Sequence, residues 1–310
     1  MTDLLASWAF WTSPAVLALL GLLIGSFLNV VIYRLPVMME RGWWQEIAGQ
    51  LDDAGAWRRV LGIDRPAAYA KAGEEIGESL DRLPRLTLSR PASRCGACGH
   101  RIRWHENVPV LSWLVLRARC SACGTRISPR YPAVEIATGL LFAGCAWRFG
   151  PHPATLAWCA VMAVLVSLAM IDWDTTLLPD SMTLPLLWGG LLASLLGLTL
   201  PLPVAVAGAM AGYLSLWSIY WLFKLVTGKE GMGAGDFKLL AALGAWLGWQ
   251  AILPIALMAS VVGVLVSLPL KIAGRLGQGH PIPFGPFLAG GGLVVIFVGV
   301  DRCLGWIGLN

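Results

Sequence analysis

The chain has 310 residues, 57% of them hydrophobic and 13% charged, with a mean hydropathy of +0.68. That balance excludes an ordinary soluble domain and a disordered chain, and it fits a polytopic membrane protein. The net charge of +5 reads as a topology signal rather than as a nucleic-acid footprint.

Eight apolar segments, at 13–33, 132–149, 153–171, 181–200, 203–224, 237–249, 251–271 and 284–304, approach the ~20 residues needed to cross a bilayer. The expected fold is therefore an all-α polytopic membrane protein of about eight transmembrane helices. The segment 237–249 is short and could be tilted or re-entrant. Many of the 16 tryptophans sit near span ends, as an interfacial aromatic belt requires. No small-residue cleavage site follows the first segment, so it is expected to be retained. The expected organisation is a first span over 1–33, a cytoplasmic subdomain over 34–131 and a membrane-embedded domain over 132–310.

Orientation follows from the basic residues. Segment 34–131 carries sixteen Lys and Arg; Lys224, Lys229, Lys238, Lys271 and Arg275 fall on the same face, and only Arg148 and Arg302 fall opposite. The positive face is expected in the cytoplasm, with both termini outside. Within that segment, 50–90 mixes charge, Gly and Ala with modest helical periodicity and says little.

Cys95-Gly96-Ala97-Cys98 and Cys120-Ser121-Ala122-Cys123 form a pair of CxxC motifs, with Gly99 and Gly124 following each. Two such hairpins supply four soft ligands for a tetrahedral zinc ion, and a knuckle needs a permissive backbone where the glycines stand. A redox dithiol or a buried disulfide are the competing readings, and a reducing cytoplasm disfavours the latter. His100 and His105 flank the first knuckle, but four cysteines already complete a tetrahedron. Cys145, Cys159 and Cys303 lie inside apolar spans and read as small buried residues.

Two acidic sites stand against the membrane segments. Asp172 ends the run from Val161 to Ile171, and Asp236 follows Gly231, Gly233 and Gly235 at the start of another apolar segment. Acids beside hydrophobic spans are costly to desolvate and mark function, and a pair of carboxylates suits acid/base chemistry on water. Asp236 could equally serve as a helix cap. Asp180, after Pro179, reads first as a cap, Asp174 as a loop residue, and Glu135 as a first-turn capping carboxylate after Pro132.

Together these segments resemble the bacterial type IV prepilin leader peptidases and N-methyltransferases, GxGD membrane aspartyl proteases that also serve type II secretion. The resemblance rests on Gly25-Ser26-Phe27-Leu28-Asn29-Val30-Val31-Ile32-Tyr33-Arg34-Leu35-Pro36, the paired CxxC motifs, Arg130-Tyr131-Pro132 with Glu135, Ile171 to Asp180, Gly231 to Lys238, and Pro281-Ile282-Pro283-Phe284-Gly285-Pro286. It implies that Asp172 and Asp236 are the catalytic pair and that Cys95, Cys98, Cys120 and Cys123 hold structural zinc. It further implies a multi-pass inner-membrane enzyme that removes the short basic leader of prepilins or pseudopilins at the cytoplasmic face. The new N-terminus, typically Phe, would then be methylated with S-adenosylmethionine. No strand, Gly-rich turn and helix unit of the dinucleotide-binding type marks a place for that methyl donor. A proton-coupled transporter should show acids at mid-span and internal repeats, and a zinc-bearing scaffold would need the cysteines but not the two aspartates.

Overall fold

The computed structural model describes residues 8–272 and 282–309. Of the residues read above, Arg275 and Pro281 lie outside these, as does the side chain of Lys271. Ten principal helices follow one another: α1 Pro14–Asp52, α2 Ala67–Asp81, α3 Arg130–Phe149, α4 Pro153–Thr175, α5 Asp180–Leu195, α6 Leu202–Thr227, α7 Ala234–Leu247, α8 Ile252–Ile272, α9 Gly285–Val298 and α10 Val300–Trp306. Among the described residues the only β pairing is two isolated bridges, Arg94 with Arg101 and Arg119 with Arg126.

Every expected span falls on a helix, but the helices are not equivalent. Pro14–Asp52, Pro153–Thr175, Leu202–Thr227 and Trp249–Pro269 are long and apolar enough to cross a membrane, and α9 with α10 makes a fifth if the bent pair is one span. The expected last span is not straight: the two helices meet at 111°. Gly299, at φ +100°, turns the chain where a residue with a Cβ would be strained. Outward-facing Leu214, Leu222 and Leu225 on α6, and Val261, Val264, Leu265 and Leu268 on α8, are exposed. A surface this apolar is a liability in water and the natural surface in lipid.

α4 is the central element. Trp158, Met162, Leu165, Leu168 and Asp172 recur at helical spacing and are buried. The short α7 is also interior. At about 1.5 Å per residue its 14 residues span roughly 21 Å, less than the ~30 Å of hydrocarbon, and ten of them are buried. It fits there because backbones touch: a Cβ on Gly208 of α6 or on Gly244 of α7 would overlap the other's carbonyl oxygen. Small residues at such a crossing replace side-chain burial with close backbone packing.

The structure adds to the sequence reading in two places. α1 does not stop near Tyr33 but continues to Asp52 as one helix of 39 residues. Within it the guanidinium of Arg34 is buried and donates to the carbonyls of Thr87 at 2.9 Å and Pro91 at 2.8 Å. The segment 50–90, uninformative as sequence, contains α2, whose Gly73 lies against the carbonyl of Ala48 on α1.

Candidate active site

Asp172 and Asp236 come to one place through α4 and α7, which bury them to 4% and 7% exposure. Asp172 occupies the last turn of α4, which ends at Thr176 in the left-handed conformation. Asp236 is the third residue of α7, in the first turn, where the helix dipole favours an acid. The N-cap is Gly233, and no side-chain capping bond forms, so the capping reading of Asp236 does not hold. The two carboxylates are close enough to act on one another electrostatically.

Leu178 packs against two glycines of the site, Gly235 beside Asp236 in the chain and Gly285 beside the Asp172 carboxylate. A Cβ on Gly235 would stand 2.7 Å from Leu178 Cβ, and one on Gly285 would stand 3.1 Å from Leu178 Cδ2 and 2.7 Å from Asp172 Oδ2. Glycine at both positions is therefore steric, and at Gly285 it lets the backbone serve the acid directly. The Gly285 N–H donates to Asp172 Oδ2 at 2.9 Å. The sequence pointed to the Pro-Phe-Gly-Pro stretch as a motif; its donor role appears only when α9 folds back on α4.

Two ion pairs involve residues close to the acids in sequence. Arg130 at the start of α3 forms a two-point pair with Asp174, at 2.8 and 2.6 Å. Lys238 Nζ reaches both oxygens of Asp180 at 2.7 Å. Asp174 is thus not a loop residue but part of the last turn of α4. Asp180 is not a cap either: Pro179 holds the N-cap position, and the carboxylate turns away to Lys238. Glu135 is structural as expected, but for another helix. It is buried beyond the first turn of α3 and accepts the N–H of Val110 at 2.7 Å, at the start of the short helix Leu111–Val115.

The four cysteines converge in the 34–131 segment. Their sulfurs all lie within 4.8 Å of one another, and Cys95 and Cys123 are 3.9 Å apart. A tetrahedron with metal–sulfur arms of ~2.3 Å has edges of about 3.8 Å, so the spacing fits a metal ion. All four are free thiols, not disulfides. Each knuckle closes in the same way. Gly99 N–H donates to Cys95 O and Gly124 N–H to Cys120 O, at 2.9 and 3.0 Å, with both glycines at φ +72°.

Local donors favour thiolates here. The N–H of Cys98 draws the Cys95 thiol below its ordinary range, and the Thr125 hydroxyl draws Cys123 down to about 6. The His100 N–H pulls the Cys98 thiol down, but Cys123 and the other sulfurs, together with desolvation, push it up to about 11. Four sulfurs in this space cannot all ionise without a cation. His100 takes no place among them; its Nε2 meets Glu106 Oε2 at 3.3 Å and Ser121 Oγ at 3.4 Å. Cys145, Cys159 and Cys303 are buried, as expected.

Comparison with known proteins places the chain among relatives. Residues 19–149 match the bacterial peptidase A24 N-terminal domain, and residues 159–268 match the type IV leader peptidase family. A prepilin leader peptidase/N-methyltransferase of Pseudomonas putida is 49% identical over 280 residues, covering 90% of this chain and 88% of its own length. The protein of that name from Aeromonas salmonicida is 49% identical over 296 residues, covering 96% and 94%. That from Dickeya chrysanthemi is 48% identical over 286 residues, covering 92% of each. No solved structure matches the chain.

Proposed function

Because this chain belongs to the type IV leader peptidase family, we propose that Asp172 and Asp236 are the acid/base pair of its protease. The chain cleaves prepilin leaders and N-methylates the product, the two activities its relatives are named for. The observation that carries the site assignment is two buried carboxylates that act on one another, one at the end of α4 and one at the start of α7, with Leu178 against both Gly235 and Gly285 and the Gly285 N–H on Asp172.

Two like charges in so little water share one proton. One carboxylate then takes a proton from the attacking water while the other gives its proton to the scissile carbonyl and the leaving amine. The Gly285 N–H fixes the orientation of Asp172, and the burial of both carboxylates keeps bulk water from the pair.

The finer reading extends this to both prepilins and type II secretion pseudopilins, cut after a short basic leader. The active site and the 34–131 segment then face the cytoplasm of the inner membrane, with the three-part division at 33 and 131. The arginine-rich composition of that segment supports this orientation. Cys95, Cys98, Cys120 and Cys123 suit zinc by ligand type and spacing, and the ion would tie the two knuckles together. S-adenosylmethionine supplies the methyl group when bound.

Incubating the purified chain in detergent with a prepilin and weighing the product N-terminus tests the reading. Loss of the leader and a gain of one methyl group is the expected result; an intact prepilin after exhaustive incubation would defeat it.

A further inference from the structure

The loop that leads into Asp236 contains a carboxylate that the dyad does not use. Glu230 accepts from Lys224 Nζ at 2.9 Å and from the Tyr220 hydroxyl at 3.2 Å, and Lys224 also donates to that hydroxyl at 3.2 Å. The same ammonium stands 5.5 Å from the Tyr220 ring centre and 5.4 Å from that of Trp221. One carboxylate, one hydroxyl and two aromatic faces thus surround a single cation. This is the donor set that recognises ammonium, methylated ammonium and sulfonium groups.

Its position gives the cluster a use. Tyr220 lies 5.7 Å, ring to ring, from Phe237, the residue after Asp236. Glu230 opens the Gly231-Met232-Gly233-Ala234-Gly235 run that precedes the same acid. The cluster is also accessible: the Glu230 side chain is 72% exposed and that of Lys224 is 35% exposed. An ion pair this exposed is weak, so Lys224 can give way to a competing cation without disturbing the fold.

We propose that Tyr220, Trp221 and Glu230 form a cation site beside the active centre, occupied by Lys224 in the free protein, that takes the positively charged group of an incoming ligand. The proposal rests on the peptidase and methyltransferase reading, which offers two sources of that charge: the sulfonium of the methyl donor and a basic side chain of the peptide leader. The chemistry of the site fits both. In either case Lys224 acts as an internal competitor and Glu230 as the counter-charge.

This makes the two substitutions act in opposite directions. In the full chain carrying Asp172→Asn, so that peptide survives, calorimetry measures binding of S-adenosylmethionine against its neutral thioether S-adenosylhomocysteine. A second pair of titrations uses a prepilin peptide with its basic leader and the same peptide with norleucine at each basic position. For the ligand that uses the site, the charged form binds more tightly than the neutral one. Glu230→Gln weakens the charged form about tenfold, and Lys224→Met tightens it about threefold. The neutral form changes little with either. Trp221→Leu, which spares the ion pair, weakens the charged form as well and guards against a misfolded Glu230 variant. Opposite signs for one ligand identify the source.

An ion pair that only fastens the loop to α6 is broken by either substitution, so both would shift affinity the same way or not at all. That outcome for both ligands, or a wild-type affinity indifferent to charge in both pairs, overturns the proposal. Leader cleavage by the unsubstituted chain is measured separately, so failure of the protease reading remains distinguishable from failure of the cation site.

Discussion

Lys238 Nζ and Asp180 join α7 to α5 with two bonds of 2.7 Å across 58 residues of sequence. Lys238 stands two residues after Asp236, and Asp174, paired to Arg130, stands two residues after Asp172. Two positions along a helix turn it by about 200°, so each acid faces inward while the charge behind it grips a neighbouring helix. Both aspartates are positioned from the outside of their own helices.

Asp172→Asn and Asp236→Asn are each expected to reduce leader cleavage at least a hundredfold while the protein remains folded, because the amide keeps the size but not the exchangeable proton. Product mass from a fixed amount of prepilin measures this. Normal turnover by either variant would remove the dyad.

Gly285→Ala places a methyl group 2.7 Å from Asp172 Oδ2, closer than packing allows. The carboxylate must shift, so kcat is expected to fall about tenfold or more with KM nearly unchanged. A variant with wild-type kcat would mean that the position of Asp172 is not set by α9.

Asp180→Asn and Lys238→Met should each lower kcat about threefold to tenfold, less than loss of either dyad member, and the double variant should be no worse than one of them. The pair is partly exposed, at 56% and 29%, so thermal stability should move little. Additive losses in the double-variant cycle would show that the two residues act separately.

Gly208→Val is expected to destabilise the membrane bundle by about 3 kcal/mol or more, since its side chain meets the α7 backbone at Gly244 with no room to relax. Retention of folded protein after heating in detergent reports the loss. Wild-type thermal behaviour would contradict the close α6–α7 crossing.

The cysteine site is expected to hold one zinc ion per chain, and Cys95→Ser or exhaustive chelation should release it and loosen the 34–131 segment to proteolysis. Asp172→Asn should still methylate a supplied peptide that already begins with the mature Phe, whereas Cys95→Ser should impair methylation at least as much as cleavage. Methylation that disappears in the aspartate variant, with folding confirmed, would show that the two chemistries share one site.

The sequence alone determined the class, the helical segments, the four paired cysteines and the two acids beside apolar runs, because each rests on local chemistry. Hydropathy of a segment sets whether it can enter lipid, CxxC spacing sets a knuckle, and an aspartate beside an apolar run is costly wherever it folds. The tertiary structure decided what those residues meet. Asp180 read as a cap because Pro179 precedes it, yet its partner is a lysine 58 residues away. Gly285 stood in the Pro283-Phe284-Gly285-Pro286 stretch without an assigned role and proved to be the donor to Asp172 across 113 residues. Lys224 read as a topology marker and proved to lie against Tyr220, Trp221 and Glu230. Such pairings depend on which helix packs against which, and an all-apolar helix carries little periodic signal to choose its neighbour. That choice is made by backbone contacts such as Gly208 on Gly244, which exist only once two distant segments share a crossing.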